Sequence, residues 1–450
     1  MNKLSKNAPQ MRLDFESLPT AAITLSSNQI NQAVELSQQI PSTSRQWQTY
    51  IHALALFAFE QWLEERADSL TINREQCTVL QPPLANAIAA VVNLQVGEFK
   101  LCLIPTGSLT DLEVTLTKVV VDLPEYVPHF YVLVEVLEEQ ESAVISGFIS
   151  YQKLIENQVR ANLQSESDWT YQIPLSWFED EPDRLLLYLR CLKSEAITLP
   201  NINSKRTQML STMEGELVTL LPQLQSPECE LWEVLTWEQG SAVLTNPELL
   251  NWVYNLQQTH NTPKTNLKDL LKLLTQPAVN VGRWLWDELD ELGRELSWVL
   301  LPSLTPAIRM RSPTQEFQAI ITQLQHRGVE IPSQSRGAYH DFLLAGIPLR
   351  LYAVTWHILS ESDTHLWTLL LVLGTASHDA LPSHLKMRVS DQTSILLEQG
   401  TNQEQGDSYL FTRVVGGWDE KFLVSMSLMD GMELTLPPFA FYPVRKLRQA

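Results

Sequence analysis

The sequence predicts an α+β, multidomain protein with an N-terminal α/β domain, a helical middle region and a C-terminal antiparallel β-sandwich. Three observations predict this. The chain has 450 residues, more than one ordinary core accommodates. Apolar residues recur at helical spacing near the N-terminus and again through a proline-broken stretch after residue 195, and beyond residue 337 the apolar period switches to two. Hydrophobic residues at 44% and charged residues at 19% are the proportions of a chain that folds over most of its length.

Residues 1–10 are expected to be disordered, with an α+β domain over 11–195. Within it "LSSNQINQAVELSQQI" predicts a helix capped by Ser26 or Ser27 and ended by Pro41. The next helix, "STSRQWQTYIHALALFAFEQWLEERAD", places Trp47, Tyr50, Ile51, Leu54, Ala58 and Trp62 at helical spacing. Phe57 and Phe59 widen its apolar face, which implies packing on more than one side. "CTVLQ", "AIAAVVNLQ", "FKLCLIP", "FYVLVEVLEE" and "SAVISGFIS" read as strands, with turns at Gly97 and around residues 140–142. "IPLSWFEDEPDRLLLYLRCLK" reads as a helix entered through the carboxylates of 179–183, which complement its free amides and dipole.

Residues 196–330 are read as the helical middle region, amphipathic helices separated by prolines, with a linker-like "QQTHNTPKTN" at 257–266. Its most unusual stretch is "VGRWLWDELDELGRELSW", residues 281–298, with three tryptophans and five carboxylates. As one continuous helix it would align Val281, Leu285, Leu289, Leu292, Leu296 and Leu300 in a core stripe. Arg294 would then pair with Asp290 and Glu291, and Arg283 with Asp287, each pair contributing about 0.2 to 0.5 kcal/mol. Trp284 and Trp298 would flank one side of the stripe and Trp286 the other, as core edge or as contacts for a partner. Gly293, awkward inside a helix, would admit close approach of another element.

Residues 337–442 are expected to form the β-sandwich, of immunoglobulin-like type, from segments such as "LRLYAVTWHIL", "LWTLLLVLGT", "HLKMRVSD", "SYLFTRVV" and "KFLVSMSL". Leu385, Met387 and Val389 would face inward and Lys386 and Arg388 water; Phe422, Val424, Met426 and Leu428 repeat the pattern. Residues 443–450 form a basic tail.

The chemistry is mostly exclusion. With 32 basic and 52 acidic residues the net charge is -20, which repels phosphate backbones and argues against nucleic acid; the short basic clusters at 204–206 and 445–448 read as solvated. No secretory core and no 18-residue apolar run is present, so no membrane association and a cytoplasmic location are expected. Four cysteines lack any Cys-x-x-Cys pair and read as buried thiols, Cys102 and Cys191 inert in apolar surroundings. Sixteen glycines build no phosphate loop or dinucleotide fingerprint. "SHD" at 377–379 is too compact for a triad, "GDSY" at 406–409 lacks a downstream Asp-x-x-His, and no histidine pair has metal-ligand spacing. No catalytic, cofactor-binding or metal-ligating residue is assigned, and no cofactor is expected.

The element order resembles a family of uncharacterised proteins found mainly in cyanobacteria, a domain-of-unknown-function family. "WQTYIHALALFAFEQWLE", "VGRWLWDELDELGRELSWVLLP" and the segment from "LPSHLKMRVSD" to "LTLPPFAF" carry the likeness, the last with an aspartate at Asp407. "GGWDEKF" departs from the family's turn, and 225–247 has no counterpart in it. The resemblance implies fold order and, through neighbouring sigma-factor and caspase-like or stress-signalling genes, a regulatory or adaptor role. It transfers no functional residue. The expectation is therefore a soluble, non-catalytic protein-interaction or regulatory adaptor whose partner is another protein, with its oligomeric state open. Two rivals are an enzyme whose site joins distant residues, such as Glu288 or Glu291 with a histidine, and a nucleic-acid-associated regulator.

Overall fold

The computed structural model describes residues 22–67, 69–107, 112–202, 206–258, 263–302, 313–359, 365–376, 380–401, 408–428 and 431–443. It is α+β with several sheets. Contacts divide the chain into two units, residues 1–203 with 226–245, and residues 204–225 with 246–450. The helical middle is thus not a unit of its own: its helices are shared between the two.

In the first unit Ser26 caps the helix Ser27–Ser37 in a reciprocal box with Gln29, as its position predicts. The helix Thr43–Ala67 buries every residue from Ala53 to Phe59. Its wide apolar face lies between the helix Ser27–Ser37 and a six-stranded sheet. That sheet runs 23–24, 142–150, 130–137, 99–106, 91–96, 72–73. All its pairings are antiparallel except 99–106 with 130–137. Gly97 makes the predicted turn with φ +57°.

"CTVLQ" is not a strand but a 3-10 turn, Thr78–Leu80. Thr78 explains it: its hydroxyl donates to the Ala90 carbonyl at 2.6 Å and accepts from the Val92 amide at 3.0 Å, and Pro82 then starts a helix. A two-stranded sheet, Glu113–Thr117 with Thr170–Pro174, adds to the expected elements.

Residues 226–245 close this unit through acidic side chains. Glu228 accepts from the Thr43 amide and hydroxyl at 2.9 and 2.8 Å and from Ser42 at 3.0 Å, and Glu230 pairs with Arg45. Gly240 sits where a Cβ would come within 2.1 Å of the Trp169 ring.

The second unit contains two larger sheets. One runs 299–300, 336–344, 347–359, 365–375, 409–417, wholly antiparallel. The other runs 395–400, 386–390, 421–427, 439–440, 279–280, with 433–435 beside 421–427. Leu351, Leu371 and Trp367 of the first share one core with Met387, Val424 and Phe422 of the second. The strand order is not that of an immunoglobulin domain, in which the third strand crosses to the opposite sheet; here 336–344, 347–359 and 365–375 are consecutive neighbours.

The outer faces are covered in part: strands 395–400 and 409–417 keep exposed positions, while the central strands are covered. Helix Pro313–His326 covers the first through Phe317, Ile321 and Leu324, against Tyr352, Val354 and Val372. This explains the unbroken apolar run in 365–375. On the second sheet Leu423 is buried, and Arg388 is only partly exposed. It donates to Asp269 of helix Leu267–Thr275 at 2.8 Å and to Glu433 at 2.9 Å. Lys386 does reach solvent, paired with Glu398.

Candidate binding pocket

The Trp-rich stretch forms no continuous helix. Asn280 accepts the Gly282 amide at 3.1 Å and starts a 3-10 helix, Val281–Trp286, which Asp287 ends in the left-handed region at φ +57°. Asp290 then uses both carboxylate oxygens. Oδ1 accepts the Gly293 amide at 2.9 Å and caps the short helix Glu291–Glu295; Oδ2 accepts the Asn280 amide at 2.8 Å. Ser297, at φ +59°, turns the chain into strand Val299–Leu300.

Local side-chain bonds have therefore outcompeted the helix that the apolar period predicts. Gly293 matters here because a Cβ would come within 2.7 Å of the Asp290 carboxylate that caps its amide. Leu285, Leu289, Leu292, Leu296 and Leu300 still reach the core, each partly buried. The expected ion pairs do not form among the described residues. Arg294 donates to the Asp290 backbone carbonyl, and Asp287 pairs with Arg336 at 3.2 Å.

The three tryptophans separate by exposure. Trp284 and Trp298 are buried, their ring centroids 5.5 Å apart, and Trp298 also meets Phe439 edge-on. Trp286 is 50% exposed. It stands at a cavity of about 250 Å³, whose other aromatic walls are Trp418 and Phe441. Gly282, in the lining, lies where a Cβ would come within 2.9 Å of the Tyr442 carbonyl, so the wall carrying Phe441 can close up. Trp418 is held from outside by the His365 ring, stacked at 4.1 Å.

Three polar side chains line the cavity: Arg336, His357 and Gln334. Arg336 donates through Nε to Asp287 and through Nη1 to the Ser335 carbonyl at 3.1 Å. Among the described residues its Nη2 and the His357 imidazole have no hydrogen-bond partner. The lining holds no carboxylate and no thiol. Such a set can grip a flat apolar group and an anion, but pairs no acid with a base.

Glu288 and Glu291 are exposed and make no side-chain bond among the described residues. Among those residues no three His, Cys, Asp or Glu side chains stand close enough to hold a metal ion. The first unit holds several shifted groups. Burial, with Arg45 nearby, holds His52 down to about 4, and burial holds Lys100 down to about 8. Burial pushes Cys77 up to about 12 and Cys102 in the same direction, whereas Cys191 is exposed, on the outer face of its helix. Residues 1–10, 377–379, Asp407 and 444–450 lie outside the described residues.

The family model described as protein of unknown function (DUF1822) matches residues 23–435. The chain belongs to that family. The DUF1822 match takes in both units and, of the pocket, Trp286, Arg336, His357 and Trp418, stopping short of Phe441. No curated protein matches the chain. Among the described residues no helix is long and apolar enough to cross a membrane.

Sequence reasoning nominated Trp286 together with Trp284 and Trp298, without separating them, and missed Trp418, Phe441 and Arg336, which lie 50 to 155 residues away from Trp286 along the chain. One local signal was available, a tryptophan in the "GGWDEKF" turn.

Proposed function

We propose that this protein is a non-catalytic interaction or regulatory adaptor, and that the cavity beside Trp286 is its docking point for a partner protein. The supporting observation is the pairing of a half-exposed tryptophan with an aromatic pocket whose polar side chains are Arg336, His357 and Gln334. Binding hot spots concentrate in this kind of surface, where Trp and Arg border a small pocket. The lining offers no carboxylate or thiol to pair with His357, so binding accounts for it better than acid–base chemistry. A regulatory role in the cytoplasm fits this reading. The test compares tagged wild-type protein with Trp286→Ala in affinity capture from native lysate, with quantitative mass spectrometry. A specific interactor recovered by the wild type and lost by the variant supports the proposal; identical recovery overturns it.

A further inference from the structure

We infer that the pocket takes the C-terminal aromatic residue of a partner polypeptide, its ring among Trp286, Trp418 and Phe441 and its free α-carboxylate on Arg336 and His357. The inference rests on the docking role proposed above and names the chemistry recognised. Size is the first argument. About 250 Å³ falls below the roughly 300 to 1,000 Å³ of sites for drug-sized ligands, and suits one large side chain.

Charge is the second. Asp287 and the Ser335 carbonyl occupy two guanidinium nitrogens of Arg336 and fix its plane, leaving Nη2 for an incoming acceptor. A neutral apolar occupant would exclude water from that nitrogen without replacing its hydrogen bond. Aromatic walls also suit cations, but the lining contains a guanidinium and no carboxylate, which disfavours an ammonium there. The third argument joins the first two. A space this small is filled most simply when one residue supplies both ring and anion, and a chain's last residue does so with its α-carboxylate beside an aromatic side chain. An internal acidic residue next to an aromatic one would need room for a second side chain and the backbone between them.

Isothermal titration calorimetry on the full-length protein tests this with four probes: the peptide GSGSW with a free C-terminus, its C-terminal amide, GSGSA, and N-acetyltryptophan. The free-acid GSGSW binds, amidation weakens it about tenfold or more, and GSGSA gives no saturable heat. Arg336→Gln removes the difference between acid and amide, and Trp286→Ala weakens both, each variant being checked for an unchanged circular dichroism spectrum. Equal binding of acid and amide, or no binding of GSGSW, overturns the inference. N-acetyltryptophan carries the same ring and α-carboxylate and binds with comparable affinity; a silent N-acetyltryptophan beside a binding GSGSW would overturn the argument that one residue fills the pocket. If GSGSW is silent while Trp286→Ala still loses its interactor from lysate, the recognition chemistry is wrong and the docking role stands; if that interactor is also retained, both fail.

Discussion

Asp290→Ala separates the observed conformation of the Trp-rich segment from the helix that its period predicts, because the two give different outcomes. In a continuous helix Asp290 would be a surface residue of poor helix propensity, and alanine's gain of about 0.5 kcal/mol would exceed or match the roughly 0.2 to 0.5 kcal/mol lost with the Arg294 pair, so stability would hold or rise slightly. In the structure the carboxylate accepts the Gly293 amide at 2.9 Å and the Asn280 amide at 2.8 Å. Losing the helix cap costs about 1 kcal/mol, and losing a second hydrogen bond to a charged acceptor about 2 more. Both amides belong to partly buried backbone, and no side chain replaces their acceptor. For a unit of roughly 230 residues, about 3 kcal/mol lowers the melting temperature by roughly 6 to 12 °C. Differential scanning calorimetry reads this shift. Asp290→Asn keeps an acceptor for Gly293 but sets an amide against the Asn280 N–H, so its melting temperature falls between the other two. An Asp290→Ala protein as stable as the wild type, or more so, would refute the reasoning.

Three further outcomes follow from the same geometry. Asp269→Ala removes one of the two carboxylates on Arg388, which keeps Glu433, and costs about 1.5 to 3 kcal/mol in urea denaturation, whereas Lys386→Ala, breaking the exposed pair with Glu398, changes stability by less than about 1 kcal/mol. His52 is held down to about 4 in the fold against about 6.5 unfolded, so between those values the unfolded chain binds a proton that the native protein does not. Stability therefore falls as pH drops through that window, by about 2 kcal/mol at pH 5, and a His52→Gln protein whose pH–stability profile matched the wild type would contradict the assignment. With a thiol-specific chromogenic reagent Cys191 reacts in the native protein, while Cys77 and Cys102 react only after denaturation; fast reaction of either buried thiol would show that its surroundings open readily.

Legibility in the sequence followed the range of the interaction. Elements set by neighbours along the chain were readable: the Ser26 cap, the apolar helix Thr43–Ala67, and strands such as Phe130–Leu137. Period alone misled where a short polar side chain could bond the backbone nearby, at Thr78 and again at Asn280 and Asp290. The pairing order of the sheets was not readable, because it depends on which distant strands meet. The same limit explains Arg388, whose alternation with Met387 points to solvent until helix Leu267–Thr275 brings Asp269 over it. Trp286 could be nominated from its local surroundings. Its pocket could not, since Trp418 and Phe441 come from turns beside strands that are remote in sequence.

Exposure divides the work of the Trp-rich segment between residues only two positions apart. Trp284 has no accessible surface, so any partner reaching it would first have to open the core, at about the 3 to 5 kcal/mol that removing such a ring costs. Trp298, packed against Trp284 and Phe439, is tied down in the same way. Trp286 already has half its surface in water, and covering that half releases hydration without disturbing the core. The left-handed turn at Asp287 makes this division possible. It ends the 3-10 helix directly after Trp286 and places a carboxylate where it fixes Arg336 at the pocket, so the break in the predicted helix builds the polar side of the site as well as freeing its aromatic edge.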